Sequence, residues 1–183
     1  MKLDAKQLRV SQPTRSDLKK IKRRQIYIIC DNILDTYNIG SIFRLADAVA
    51  ASCVYLCGST ATPPYHRIAK AAVGTEKWVP WEHASTAVEA IENLKLMYAQ
   101  GLKSKIKNLM IVAIEQSKKA VDYRKADFRE PVAFIVGHES SGVSRQALKL
   151  ADQIVEIPMY GVNRSLNVMV SLAIVLYKAS EKF

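Results

Sequence analysis

The apolar and polar positions of this chain change period several times, and each change marks an element. Residues 25–33, QIYIICDNI, form a nearly unbroken β-branched and apolar run, which predicts a buried strand. LDTYNIG, residues 34–40, is polar and reads as a loop. SIFRLADAVAA, from Ser41, spaces its apolar residues as a helix does. SCVYLCG, residues 52–58, is a second apolar run, closed by Gly58. Strand, helix and strand within about 30 residues form a βαβ unit, and so a parallel pair.

The alternation continues downstream. Pro63-Pro64 excludes helix from STATPPYH. RIAKAAVG predicts a short helix ending at Gly74, and WVPWEH a short extended segment. Residues 84–99 predict a helix that Gly101 ends. NLMIVAIE, PVAFIVG and QIVEIPM predict strands, the last stopped at Pro158. KKAVDYRKADF predicts a loop with one helical turn at most, and SRQALKLA a short helix capped by Ser144. The stretch from Ser165 to Phe183 predicts a long apolar helix capped by Ser165. Strands alternating with helices predict an α/β fold, a mostly parallel sheet with helices on both faces. Ligands of such sheets bind beyond the carboxyl ends of the strands, here the loops after residues 31, 137 and 157.

Charge divides the chain in two. Of 27 Lys and Arg against 17 Asp and Glu, residues 1–24 hold nine bases and two acids, so the arm is +7 and the rest +3. The expected organisation is a basic arm, 1–24, and one domain, 25–183, with no repeat and no internal linker. Basic arms bind nucleic acid; the plainer alternative is a solvated leader. Lys19, Lys20, Arg23 and Arg24 are the arm's candidate RNA contacts. No apolar run reaches the roughly 18 residues of a membrane span, and the basic N-terminus lacks the apolar core of a secretory signal. Cys30, Cys53 and Cys57 lie in strand-like segments, Cys53 and Cys57 on one face, and are expected to be free and buried. They have no nearby Cys or His partners for zinc, so no metal site is expected, and their usage fits a reducing cytoplasm.

The common cofactor and hydrolase signatures are absent: no G-x-G-x-x-G after the first strand, no P-loop, no H-E-x-x-H and no G-x-S-x-G. Four of the seven glycines (Gly40, Gly137, Gly142 and Gly161) fall in the three strand-end loops, which suggests close backbone approach to a ligand. In the first loop Asn38 offers an amide at a helix start. Arg44 reads either as a fork for phosphate or carboxylate or as a helix-surface residue reaching outward. In the second, Gly137 and Gly142 bracket His138, Glu139 and two serines, and Glu139 reads as a functional acid or a capping group. A lone His138 is more often structural than catalytic. In the third, Ser165 and Asn167 are polar at the start of an apolar helix. One N-cap accounts for only one of them.

Together these loops resemble the SpoU family of RNA 2'-O-ribose methyltransferases, in the knotted SPOUT superfamily. Asn38, Gly40 and Arg44 match N-x-G-x-x-x-R; Gly137, Glu139 and Gly142 match G-x-E-x-x-G; Ile157 to Val168 matches I-P-M-x-G-x-x-x-S-L-N-V at every fixed position. HRIAKAAVGTEKWVPWE is similar to the segment the family places between its first two motifs. The resemblance covers roughly residues 25–180. It implies a C-terminal trefoil knot, S-adenosylmethionine (SAM) held near Gly137, Ile157, Met159 and Leu166, and a homodimer with its active site near the interface. It implies methyl transfer to a ribose 2'-hydroxyl of tRNA or rRNA. Arg44 would orient the ribose and neighbouring phosphate, stabilise developing alkoxide or act as the base. Asn38, Glu139, Ser165 and Asn167 would complete the polar site. His138 and Ser140 flank the acid where many relatives have glycine. Longer relatives carry a separate RNA-binding domain, which is not evident here, so the arm is the expected accessory. Two other readings stand beside this one, a noncatalytic RNA-binding relative and a SPOUT enzyme acting on a base nitrogen. Retention of all five polar residues argues against the first. The pairing of N-x-G-x-x-x-R with S-L-N-V argues against the second.

Overall fold

Among the described residues seven strands pair in one sheet in the order β3-β2-β1-β6-β4-β7-β5, every pair parallel. They are β1 (Arg24–Asp31), β2 (Ala51–Cys57), β3 (Trp81–Ala84), β4 (Met110–Ile114), β5 (Val121–Asp122), β6 (Val132–Gly137) and β7 (Gln153–Glu156). The helices are α1 (Ala5–Val10), α2 (Arg15–Lys20), α3 (Thr36–Ala48), α4 (His66–Ala72), α5 (Ala87–Ala99), α6 (Arg145–Leu150) and α7 (Val168–Ser180). The computed structural model describes residues 2–102 and 108–182. Met1 of the expected arm and Phe183, the end of the expected last helix, lie outside them, as does the stretch 103–107.

Alternation along the strands builds two cores. Ile26, Ile28 and Cys30 of β1 face one way, with Phe43 of α3, Ile68 of α4 and Leu176 of α7. Tyr27 and Ile29 face the other way, with Ile91 and Leu94 of α5 and Ala147 of α6. Helices therefore cover both faces, as the βαβ pattern requires. The chain leaves β1 toward β2 but leaves β6 toward β7, so the order reverses between the adjacent strands β1 and β6. Crevices beyond such a switch point are where open α/β sheets bind ligands.

Four local expectations differ from the structure. The first loop is shorter than its polarity suggests: α3 begins at Thr36, because Asp35 caps it by accepting from the Tyr37 amide at 2.8 Å. Gly40 is therefore inside a helix and not in a loop. Its missing side chain admits α4, since a Cβ there would sit 2.5 Å from the Ile68 carbonyl oxygen and 2.6 Å from the Ala71 Cβ. The last helix starts at Val168 and is capped by Asn167 rather than Ser165, Asn167 Oδ1 accepting from the Met169 and Val170 amides. Within the expected 118–128 loop, Val121 and Asp122 pair with β7 as an edge strand.

The basic arm is not a free leader. α1 and α2 each open with a capping box, on Asp4 and Thr14. The indole of Trp78 donates to Ser11 Oγ at 3.1 Å, and Lys77 donates to the Arg9 carbonyl at 3.1 Å. Arg23 donates to the carbonyls of Ala51 and Trp78, and Arg24 pairs with Glu130 at 2.8 Å.

Candidate functional site

The second and third loops meet at the carboxyl ends of β4, β6 and β7 around a cavity of about 540 Å³, and the first loop, beyond β1, joins them through hydrogen bonds of Asn38. Gly137, Glu139, Ile157, Met159, Ser165, Leu166 and Asn167 all line it. Gly137 makes the second loop possible. His138 and Gly142 pair with each other across the turn, and a Cβ on Gly137 would collide with the Gly142–Val143 backbone. The turn is thus folded back on its own strand, which leaves backbone groups along the cavity wall.

Carboxylates hold that turn from both neighbouring strands. Asp31, buried at the end of β1, accepts from the Ser144 amide at 2.8 Å. Glu115, just past β4, accepts from the Val143 amide at 2.7 Å and from the Gln116 amide at 2.9 Å. Gly142 adopts φ +70°, and a Cβ there would overlap the Glu115 carboxylate. The Gln116 side chain in turn donates to the Arg164 carbonyl of the third loop. Glu115 and Gln116 line the cavity too, and so join its two walls. Sequence reading missed Asp31, Glu115 and Gln116. The available signal was their position, polar residues at the carboxyl ends of apolar strands.

Glu139 reaches out of the turn to the first loop. Its carboxylate accepts from the Leu34 amide (3.2 Å), the Asp35 amide (3.0 Å) and Asn38 Nδ2 (3.0 Å). Partial burial opposes its charge, but the bonds from Asn38 and from these amides outweigh burial and hold the carboxyl below the usual carboxylate range. Of the two roles sequence left open for Glu139, the capping geometry is present, although the segment it caps belongs to another strand end. Buried Asn38 also accepts from Asn167 Nδ2 at 3.0 Å. Asn38, Glu139 and Asn167 therefore form one chain of hydrogen bonds across all three loops.

The remaining candidates stand apart from that chain. The Ser165 hydroxyl has no hydrogen bond among the described residues, and Asn167 takes the cap assigned to it. Arg44 is exposed on α3, six residues after Asn38, without an ion pair among the described residues. His138 Nδ1 accepts from the Ser140 amide at 3.0 Å, a bond internal to the turn. Lys19 and Lys20 are exposed, whereas Arg23 and Arg24 are half-buried and engaged with the body as described above. The three cysteines are free and buried, and burial raises the Cys30 thiol and pushes Cys57 up to about 12, so neither is a ready nucleophile. Among the described residues no group of His, Cys, Asp and Glu is arranged to hold a metal ion, and no helix is long and apolar enough to cross a membrane.

Comparison with known proteins gives this geometry a context. The model of the SpoU rRNA Methylase family matches residues 25–177. The tRNA (guanosine(18)-2'-O)-methyltransferase of Aquifex aeolicus is 31% identical over 161 residues, covering 88% of this chain and 71% of that protein. The enzyme of the same name from Escherichia coli is 34% identical over 167 residues, covering 88% and 66%. The crystal structure of the SpoU methyltransferase AviRb from Streptomyces viridochromogenes, in complex with AdoMet, superposes with a TM-score of 0.77 at 26% identity, covering 91% of this chain and 64% of that one. The chain thus spans about two thirds of the length of these relatives.

Proposed function

The chain belongs to the SpoU rRNA methylase family, and from that premise we propose that it transfers the methyl group of SAM to a ribose 2'-hydroxyl of structured RNA, tRNA or rRNA. The observation that carries this reading is the hydrogen-bonded chain Glu139–Asn38–Asn167, which ties all three family motifs to one cavity.

The cavity fits the cofactor. Gly137 and Gly142 leave no Cβ between the turn and its surroundings, and Ile157, Met159 and Leu166 supply apolar surface beside exposed backbone. These residues would hold SAM. The bound cofactor supplies a sulfonium-activated methyl group. The protein supplies alignment: the 2'-oxygen must approach in line, and fixed loops supply that at little cost in order. Glu139 and Asn167 fix the amide of Asn38, which then has one orientation toward the ribose. Arg44 presents a planar cationic fork whose geometry suits a phosphate. Its role is therefore to bind the neighbouring phosphate and stabilise charge developing on the 2'-oxygen. The noncatalytic alternative loses support, because a mere RNA binder has no use for this chain of bonds beside a cavity of cofactor size.

Three finer features belong to the same proposal. Residues 25–183 form the catalytic domain, with 1–24 as its accessory arm. The segment after β7 is knotted through the connection between β4 and β6; packing of Ala126 and Phe128 in one core with Leu172 and Val175 of α7 supports this. The active unit is a homodimer in the cytoplasm. Val170, Ile174 and Tyr177 form a line at helical spacing on α7, and Val170 and Tyr177 are exposed, as an interface between two copies needs.

The test is incubation with labelled SAM and bulk tRNA or rRNA, followed by nucleoside analysis. A 2'-O-methylated nucleoside is expected. Its absence with every RNA, or label on a base, would sink the reading.

A further inference from the structure

The exposed face of α4 and the docked N-terminal arm stand outside the catalytic chain, and together they form a surface with its own chemistry. α3 and α4 both leave the carboxyl ends of their strands, β1 and β2, so both helices start at the end of the sheet that holds the site. α4 is seated on α3 at Gly40. Its buried side is Ile68 and Ala72, and its exposed side carries His66, Arg67 and Lys70 with no acid in the helix. Tyr65, at the N-cap, makes no capping bond. It is 42% exposed and stacks on His66 with ring centroids 5.5 Å apart and planes 27° apart. An exposed aromatic pair that caps nothing and packs into no core offers a flat face to a planar partner.

The other end of α4 meets the arm. The chain after α4 turns at Gly74 (φ +98°), where a Cβ would collide with the Leu8 carbonyl, so α1 lies directly on this turn. The Trp78–Ser11 and Lys77–Arg9 bonds fasten it. The arm's acids are spent internally, Asp4 and Asp17 each completing a capping box. Lys6 and Arg9 of α1 are left exposed beyond the end of α4. Seven residues of α4 span about 10 Å. The basic track therefore runs from an aromatic pair on the side of the active site, down α4, onto α1.

We propose that this track binds the RNA strand. Arg67, Lys70, Lys6 and Arg9 pair with successive phosphates, and the Tyr65–His66 pair stacks on an unpaired base. This rests on the RNA methyltransferase reading and extends it, because it locates where the RNA lies outside the catalytic loops. Interleaved cations and exposed aromatic faces are what a single strand requires. An acidic protein would use the cations but not the stacked rings. Docking changes the meaning of the arm as well. A free arm would add affinity alone, whereas a fastened one presents its charges at a set distance from the site and so adds register.

The experiment measures affinity of the full chain for bulk tRNA, by fluorescence anisotropy at several salt concentrations. Each phosphate deprived of its cation flattens the plot of log affinity against log salt by roughly 0.7–0.9. R67E/K70E is expected to weaken binding at least tenfold and flatten the slope by about 1.5. Y65A/H66A is expected to weaken binding by several-fold to about a hundredfold with the slope unchanged. SAM affinity stays at its wild-type value in both, which shows that the fold is intact. Unchanged RNA affinity and slope in R67E/K70E would overturn the proposal, as would displacement of the tRNA by polyglutamate at equal charge concentration. Nucleoside analysis of wild-type reactions keeps the two readings distinct. Loss of methyl transfer alone counts against the reaction, and loss of the mutant binding effect alone counts against the track.

Discussion

Asn38 and Asn167 lie 129 residues apart in the chain, and the Asn167 amide donates to the Asn38 side-chain oxygen at 3.0 Å. Each amide is fully assigned by its other bond. Asn38 Nδ2 donates to Glu139, and Asn167 Oδ1 caps α7. The start of one helix, the start of another and the β6 turn are thereby one mechanical unit beside the cavity.

Asn167→Ala removes both the cap and the bond to Asn38. A lost cap costs about 1 kcal/mol, and a buried Asn38 acceptor left unpaired costs about 1–3 kcal/mol more. Urea unfolding should register a total of about 2–4 kcal/mol, with methyl transfer reduced at least tenfold. Asn167→Asp, which keeps the cap but cannot donate, should recover the first loss and not the second.

Glu139 makes the site sensitive to acid. Its folded pKa lies below its unfolded value, so its bonds to Asn38 and the Leu34 and Asp35 amides stabilise the fold fully above that unfolded value, about 4.3. This contribution is lost as pH falls through the lower folded pKa. Glu139→Gln should therefore unfold more easily than wild type at pH 7, and the difference should shrink as pH falls below that unfolded value. A difference independent of pH would show that the carboxylate charge is not what holds the first loop.

Arg44 is exposed and without an ion pair among the described residues, so its removal should hardly change stability, by no more than about 0.5 kcal/mol. Arg44→Ala is expected to lower methyl transfer by a hundredfold or more, with SAM affinity within threefold of wild type by calorimetry. Arg44→Lys keeps the charge but loses the fork, and should fall between the two. A parallel loss of SAM binding would contradict the role given to the guanidinium.

Glu115 serves two neighbouring amides of different segments, Val143 and Gln116. Glu115→Ala leaves the Val143 amide, next to the cavity-lining Gly142, without its acceptor. The expected result is a loss in SAM affinity of about fivefold or more, since about 1–3 kcal/mol attaches to such a group. Glu115→Gln offers one acceptor oxygen in place of two and should lose less. Unchanged affinity in both would mean the turn is held by its own His138–Gly142 pairing.

Gly40→Ala tests the seat of α4. Alanine is the better helix former by about 1 kcal/mol. Its Cβ, however, would lie 2.5 Å from the Ile68 carbonyl oxygen and 2.8 Å from the Ala72 amide nitrogen, backbone atoms that cannot rotate away. Crowding should win, with net destabilisation of about 1–2 kcal/mol by thermal unfolding. A stabilised variant would show that α4 shifts freely on α3.

Several features were legible in residue order alone. The strands declare themselves because a buried parallel strand is apolar along its whole length, as Val132–Val136 is, and helices because their apolar positions recur each turn. The three motif loops and the parallel βαβ pairing followed from those runs, and the family from the motifs. Element ends were less legible. Asp35 and Asn167 displaced the expected helix starts because capping is decided by which oxygen reaches the amides, and serine and asparagine are near equals there.

Only the tertiary structure decided who meets whom. Glu139 is an acid between two glycines in sequence, and nothing local says that its partners are the Leu34 and Asp35 amides and Asn38, about a hundred residues earlier. Asp31 and Glu115 look like ordinary strand-end acids until β1 and β4 flank β6 and turn both toward one loop. The +7 of the arm was evident from composition, but its fastening at Gly74 and Trp78 was not. Hydrophobic periodicity is a property of neighbours along the chain. A hydrogen bond between strand ends depends on the register and order of a seven-stranded sheet, and no residue carries that order by itself.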